Sequence, residues 1–283
     1  SPELAAAVNV ALALHQPLLL TGEPGTGKTQ LAYHLARYFG LEAPLVFHAQ
    51  INSVKKDLFY TYDALGHFHY TQNKDNSELN GPEIENRFIR YEALGKAIEL
   101  AHAGNAKRSV VLIDEIDKAQ RDLPNDLLSA IENLVFEVPE IPGKTIRRLE
   151  CPKHLYPFIV ITSNSEKNLP DAFLRRVVYH DIRFPSAKEL LKILQSKQLT
   201  GLTDKELSIL IEHFMEVREQ KELGKKPATA ELIAWATLLP QLQFPISKLK
   251  KGAILKAAEK QLLYTSYGVL AKNRDDIKKL VEP

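Results

Sequence analysis

The stretch GEPGTGKT at 22–29 leaves a chain few ways to fold. An apolar run, PLLLT (17–21), leads into it, and a helical pattern, QLAYHLARYFG (30–40), leads out. Gly22, Gly25 and Gly27 can take backbone angles that side chains resist, so a strand can turn sharply into a helix there. Further apolar runs follow at PLVFHA (44–49), SVVLID (109–114), PFIVITSN (157–164) and VVYHDIRF (177–184), each separated by helical stretches. Near-continuous apolar strands alternating with helices predict an α/β fold, a parallel sheet sandwiched by helices. One interruption differs. VFEVPE (135–140), IPG (141–143) and KTIRRLE (144–150) read as strand, turn and strand, a β-hairpin inserted before the fourth sheet strand.

Beyond Pro185 the pattern is helical only. Ser186 with Glu189 and Thr203 with Glu206 are capping-box signatures ahead of apolar helical runs. KELGKKP (221–227) reads as a loop, Thr229 as the cap of a helix ending before Pro240, and 253–266 and 273–281 as a last helix pair. The expected domains are therefore 1–185, an α/β core, and 186–283, a small all-α lid. A net charge of +2 gives no strong footprint for nucleic acid or membrane. No uncharged run reaches the 18 or so residues of a membrane span. The single cysteine, Cys151, excludes an internal disulfide and fits a reducing compartment. The opening SPELAAAVNVALALHQP has no basic leader and carries Glu3 and Asn9, so it reads as a helix rather than a signal peptide. A cytoplasmic protein is expected, and the abrupt opening is what a piece of a longer chain would show.

The glycine-rich stretch matches G-x-x-x-x-G-K-[ST] in full, in its proper strand–loop–helix setting. Successive N–H groups and the helix N-terminus would face phosphate oxygens. The expected nucleotide-binding set is Gly22, Glu23, Pro24, Gly25, Thr26, Gly27, Lys28 and Thr29, with Gln30 beginning the helix. Lys28 would reach the β- and γ-phosphates and Thr29 would ligate Mg²⁺. VVLIDEID (110–117) is an apolar strand ending in carboxylates. Asp114 suits the shell of Mg²⁺, and Glu115 could polarise an attacking water. The bland alternative is an acidic start to the next helix. Asn164, at the end of VITSN, would orient the lytic water if its strand neighbours that of Asp114; otherwise it is a strand-end turn residue.

These motifs, GEPGTGKT, VVLIDEID, VITSN and LPDAFLRRVVYHDIRFP, in this order and followed by a helical lid, resemble the AAA+ ATPases. The LVFHAQINSVKKDLFYTYDALGHFHY segment and the inserted hairpin are similar to the MoxR-like branch. The resemblance covers almost the whole chain. It implies strand order 5-1-4-3-2, ATP at the C-terminal edge of the sheet, hydrolysis of ATP, and a ring, usually a hexamer, that passes motion to a protein client. It also implies an arginine entering the neighbouring subunit's site. Arg176 is the better match and Arg175 the second, against the alternative that both are solvated or paired with Asp171 and Asp181. Where the branch carries a lid arginine, this chain has Ala230; Lys225 or Lys226 would have to reach in, unless they are a solvated loop.

Asn73, Lys74 and Asp75 tempt a guanine-recognition reading, but the fourth position is Asn76 and the stretch lies ahead of the Asp114 strand, so ATP is favoured. His67 and His69 lack partners at zinc-site spacing. Of the aromatics Phe59, Tyr60, Tyr62, Phe68 and Tyr70, about half read as core, and the resemblance implies that others line a client-facing pore. Two rival functions stay open. One is a nucleic-acid motor, not indicated by the charge and testable by stimulation with DNA or RNA. The other is a nucleotide-dependent interaction switch with slow turnover.

Overall fold

The computed structural model describes the chain except residues 73–79, 103–107, 121, 142–143, 148–151, 166–168, 198–200, 221–222, 251 and 282–283. Asn73, Lys74, Asp75, Asn76, Cys151 and the outer end of the second hairpin strand thus lie outside the described residues. Two units emerge: Ser1–Gly22 with Gly27–Ile182, and Glu23–Thr26 with Arg183–Pro283.

The first unit opens with α1 (Pro2–Leu14), capped by the Ser1 hydroxyl, which accepts the Leu4 N–H at 3.3 Å. Then come β1 (Leu18–Thr21), α2 (Lys28–Tyr38), β2 (Leu45–His48), β3 (Tyr60–Tyr62), α3 (Ala64–Gln72), α4 (Gly81–Phe88), β4 (Ile89–Tyr91) and α5 (Ala93–His102). The unit continues with β5 (Val110–Asp114), α6 (Leu123–Asn133), β6 (Val135–Glu137), β7 (Thr145–Arg147), β8 (Phe158–Thr162), α7 (Asp171–Leu174) and β9 (Val178–Asp181). The main sheet runs β2-β5-β8-β1-β9, all parallel. Counting only its own strands, that is 5-1-4-3-2 read from the other edge.

Alternation across the pleat builds a core on each face. Leu19, Val111, Ile113, Ile159 and Ile161 pack with Leu94, Ile98, Leu127 and Ile131 of α5 and α6. Leu18, Leu20, Val110, Leu112 and Val160 pack with Val8 and Ala11 of α1 and Leu31 and Leu35 of α2. The central strands β1, β5 and β8 are buried throughout, as a sheet covered on both sides requires.

Two small antiparallel pairs pack beside α5 and α6, β3 with β4 and β6 with β7. The second is the expected hairpin. The first has no counterpart in the sequence reading. Their join explains the aromatic segment. Phe59 stacks on Phe136 at 4.8 Å, and both are buried. The Tyr60 hydroxyl donates to Glu140 at 2.8 Å, where Lys56 also bonds at 2.8 Å. Tyr91 donates to Glu85, which Lys144 pairs at 2.9 Å. Phe59 and Tyr60 are therefore core. Tyr62 bonds His67 at 2.6 Å, and that imidazole stacks on Phe88 at 4.7 Å. Tyr70 packs edge-on against Phe88, whereas Phe68 is 57 % exposed.

The second unit consists of α8 (Ala187–Ser196), α9 (Asp204–Glu219), α10 (Thr229–Gln241), α11 (Ala257–Leu270) and α12 (Arg274–Val281), with Glu23–Thr26. Ser186 and Thr203 cap α8 and α9, each in a reciprocal pair with the glutamate three residues on. Trp235 is fully buried and its indole N–H donates to Ser266 at 2.8 Å. Thr229 is not a cap. Ala228 holds that position, its N–H bonded to Glu231 at 3.1 Å, and α10 runs through Pro240 to Gln241. α11 begins at Ala257 rather than 253, because Glu259 accepts the Lys256 N–H at 2.7 Å and fixes the start there.

Candidate functional site

The strand ends β1, β5 and β8 and the start of α2 bring one cluster together in the first unit. Gly27 is the N-cap of α2 with φ 90°, and no side chain caps that end. Gly22 has φ 137°. A left-handed N-cap without a side chain leaves room and donors for an anion. Lys28 follows, buried, with Nζ donating to the Gly22 carbonyl at 2.7 Å and to Asn164 Oδ1 at 3.0 Å. Burial pushes its ammonium below the ordinary lysine value, against the pull of Asp117, Asp114, Glu115 and Asp181.

Asp114 ends β5. Its Oδ1 accepts from the Thr29 hydroxyl at 3.0 Å and from the Thr162 hydroxyl at 2.6 Å. His48, opposite it on β2, lies 3.5 Å from Oδ2. Glu115 comes next with φ 59° and ψ 46°, a left-handed backbone on a residue with a side chain. That conformation costs on the order of 1–2 kcal/mol. Its N–H donates to Thr162 Oγ1 at 2.9 Å, and its carboxylate pairs with Lys118. Asn164 lies just past the end of β8, its N–H bonded to Asp117 at 3.1 Å. β5 and β8 are neighbours, so Lys28, Thr29, Asp114, Glu115 and Asn164 converge.

Hard oxygen donors from Thr29 and Asp114 at one point fit a divalent cation such as Mg²⁺, and an uncapped helix start beside a lysine fits a phosphate. Among the described residues there is no cluster of three or more His, Cys, Asp or Glu with metal-binding geometry, so any metal here would lean on a hydroxyl and one carboxylate.

Glu23–Thr26 belong to the second unit. The Thr26 hydroxyl donates to the Glu23 carbonyl at 2.9 Å. Gly25 has φ 77°, and a Cβ there would come within 2.7 Å of Ala228. Buried Arg218 of α9 pairs with the Glu23 carboxylate, bonds the Pro227 carbonyl, and stacks on Phe184 at 3.5 Å. The sequence reading passed over Arg218. Its one signal was a cation on the apolar face that Leu207, Leu210, Phe214 and Val217 share. Lys225, Lys226 and Ala230 are exposed. Thr162, His48, Asp117 and Lys118 were also missed; a hydroxyl ending the apolar run PFIVITSN was the visible clue to the first.

Arg175 and Arg176 do not join their own chain's cluster. They follow α7 and precede β9, whose first residue, Val178, pairs with Leu18 at the start of β1, while Thr21 pairs with Asp181. At about 3.3 Å per residue, Val178 itself stands about 13 Å along the sheet from the level of Gly22, and both arginines precede it. Arg176 pairs with Glu132 of α6 at 3.2 Å, not with Asp171 or Asp181. It lines an open cavity of about 360 Å³ with His15, Pro17, Lys153 and Tyr156.

A parallel sheet in this order, with a glycine turn before α2 and carboxylates at the tip of β5, defines a P-loop protein of the AAA+ kind. The chain belongs to the family described as AAA domain (dynein-related subfamily), which matches residues 17–177, more than half of the chain. It is 27% identical over 215 residues to a Lon protease of Mycoplasmopsis agalactiae, a match covering 70% of this chain and 19% of that one. It is 26% identical over 217 residues to Lon protease 1 of Hydrogenovibrio crunogenus, covering 76% and 21%. The chain thus spans about a fifth of the length of these relatives. Among solved structures it is similar to a point mutant of Thermotoga maritima RuvB, with 15% identity, TM-score 0.49, and coverage of 95% of this chain and 68% of that one. The Thermotoga maritima RuvB Holliday junction branch migration motor matches at 16% identity and TM-score 0.47, covering 98% and 69%.

Proposed function

We propose that this chain binds ATP with Mg²⁺ and hydrolyses it, as a MoxR-like AAA+ protein of the cytoplasm. Its subunits assemble into a ring, a hexamer in the usual case, that remodels or activates a protein client. Residues 1–185 form the ATPase core and 186–283 the lid. The observation that carries this reading is the meeting of Thr29, Asp114 and Thr162 on one carboxylate oxygen beside Lys28 and Glu115.

Residues 22–30 would hold the nucleotide, with Lys28 at the β- and γ-phosphates. Thr29 and Asp114 would hold the metal, which when bound supplies charge neutralisation at the phosphates. Glu115 takes the proton of the attacking water, and Asn164 orients that water. Arg176, with Arg175 as second choice, acts on the neighbouring subunit. Its place along the sheet from its own Lys28 supports a role in trans. A fixed, always-charged fork suits a γ-phosphate. The two relatives are named proteases, which act on protein and so favour a protein client over nucleic acid.

The Glu115→Gln form should bind Mg·ATP like the parent and lose turnover by about 10²–10⁴-fold. Turnover at the parent rate would show that Glu115 is not the base. Arg176→Ala subunits mixed into parent protein should depress the rate more than in proportion; strict proportionality would count against a shared site. Stimulation by DNA or RNA but not by protein would favour the nucleic-acid reading. The Lys118 ion pair on Glu115 favours one further reading, a nucleotide-dependent interaction switch with slow turnover. ATP-dependent assembly with turnover that no client accelerates would select it.

A further inference from the structure

We propose that Thr162 is a positioning residue for hydrolysis: its hydroxyl fixes the left-handed backbone at Glu115 and so aims that carboxylate. The inference rests on the reading of Glu115 as the base. A hydroxyl has one proton to give and lone pairs to accept with. Here the proton goes to Asp114 Oδ1 at 2.6 Å, and a lone pair takes the Glu115 N–H at 2.9 Å. Both bonds are sheltered, since Thr162 is 1% exposed.

The β5–β8 ladder ends at Ile113 and Ile161. Two residues on, the Glu115 N–H turns out of the ladder and onto this side chain. That turn is what the φ of 59° at Glu115 accomplishes. A buried N–H without a partner is costly, so the hydroxyl is what lets the kink persist next to an apolar strand. A β-branched residue on a strand is held at χ1, which keeps the hydroxyl aimed between the two acidic residues. Asp114 keeps a second donor, the Thr29 hydroxyl at 3.0 Å, whereas the Glu115 N–H points at Thr162. The Glu115 side chain is therefore the part of the site that depends most on Thr162.

The test compares Thr162→Val, which keeps the shape and loses the hydroxyl, with Thr162→Ser, which keeps the hydroxyl. Glu115→Gln serves as reference. Melting temperature, affinity for a fluorescent ATP analogue with Mg²⁺, and turnover across Mg²⁺ concentration are measured on the full chain. Thr162→Val should bind the analogue within about threefold of the parent while kcat falls by about 10- to 100-fold, the loss expected of a misaimed group. Thr162→Ser should restore most of the turnover. Parent-level turnover in Thr162→Val would overturn the proposal. So would equal loss in a folded Thr162→Ser, or a defect in Thr162→Val that excess Mg²⁺ repairs, which would mean the hydroxyl acts through Asp114. If Thr162→Val does not fold, the serine form decides: near-parent turnover supports the proposal and lost turnover overturns it. An active Glu115→Gln would instead remove the base assignment beneath it, whatever the Thr162 variants do.

Discussion

Lys118 stands one turn beyond Glu115 and holds its carboxylate in an exposed ion pair. Exposed pairs hold weakly and weaken further with salt. Lys118→Met should therefore raise turnover about two- to fivefold at low ionic strength, and the gap to the parent should close as salt is added. A rate unchanged at every salt concentration would mean that the pair does not restrain the base. Arg176 and Glu132 form a similar half-exposed pair, so Glu132→Gln should shift stability by less than about 1 kcal/mol in chemical denaturation. At this scale the sequence was readable where chemistry is local. Gly22 to Thr29 announce themselves by spacing, and Asp114 and Glu115 by ending an apolar run. Thr162 and His48 were not legible, because their roles depend on which strands lie side by side. Arg218 was hidden too, since a buried arginine on a helix looks like any surface cation until its partners are known.

The inserted hairpin and the β3–β4 pair stabilise each other through aromatic stacking and two tyrosine–carboxylate–lysine sets. Removing Phe136 leaves a cavity against Phe59 and Tyr60, so Phe136→Ala should cost about 3–5 kcal/mol in denaturant unfolding. A loss well under 1 kcal/mol would mean that the hairpin is not part of the cooperative core. The hairpin itself was foreseeable from its two short runs and a Pro-Gly turn. β3 and β4 were not, because each is three residues long and they pair across an intervening α3 and α4. In α9, His213 forms a three-ring cluster with Trp235 and Tyr267. Its Nδ1 lies 3.1 Å from the Leu249 carbonyl, so the N–H is there and Nε2 accepts from Tyr267 at 2.8 Å. Burial pushes its pKa below the ordinary histidine value, against the Leu249 carbonyl and Glu216. The unfolded chain then binds a proton that the folded one refuses. Stability should be full above about pH 6.5 and decline as pH falls from there through the lower folded value. Melting curves from pH 8 to 5 would check this, and His213→Gln should flatten them.

The first unit has an apolar core on each face of its sheet, and the second has one around Trp235. The parallel sheet followed from the run of apolar segments, and its strand order from the family likeness alone; Glu23–Thr26, which come just after β1 in sequence, group with the later helices. If the glycine turn binds Mg·ATP, a hundredfold excess over Kd should raise unfolding free energy by about 2.7 kcal/mol, and Lys28→Ala should abolish the gain in a thermal shift. A stabilisation that survives in Lys28→Ala would put the nucleotide elsewhere. The left-handed backbone at Glu115 carries a last implication. Glycine adopts that geometry without strain, so Glu115→Gly should melt no lower than the parent while losing hydrolysis. At this one codon, evolution towards a sturdier molecule and evolution towards a working enzyme pull in opposite directions.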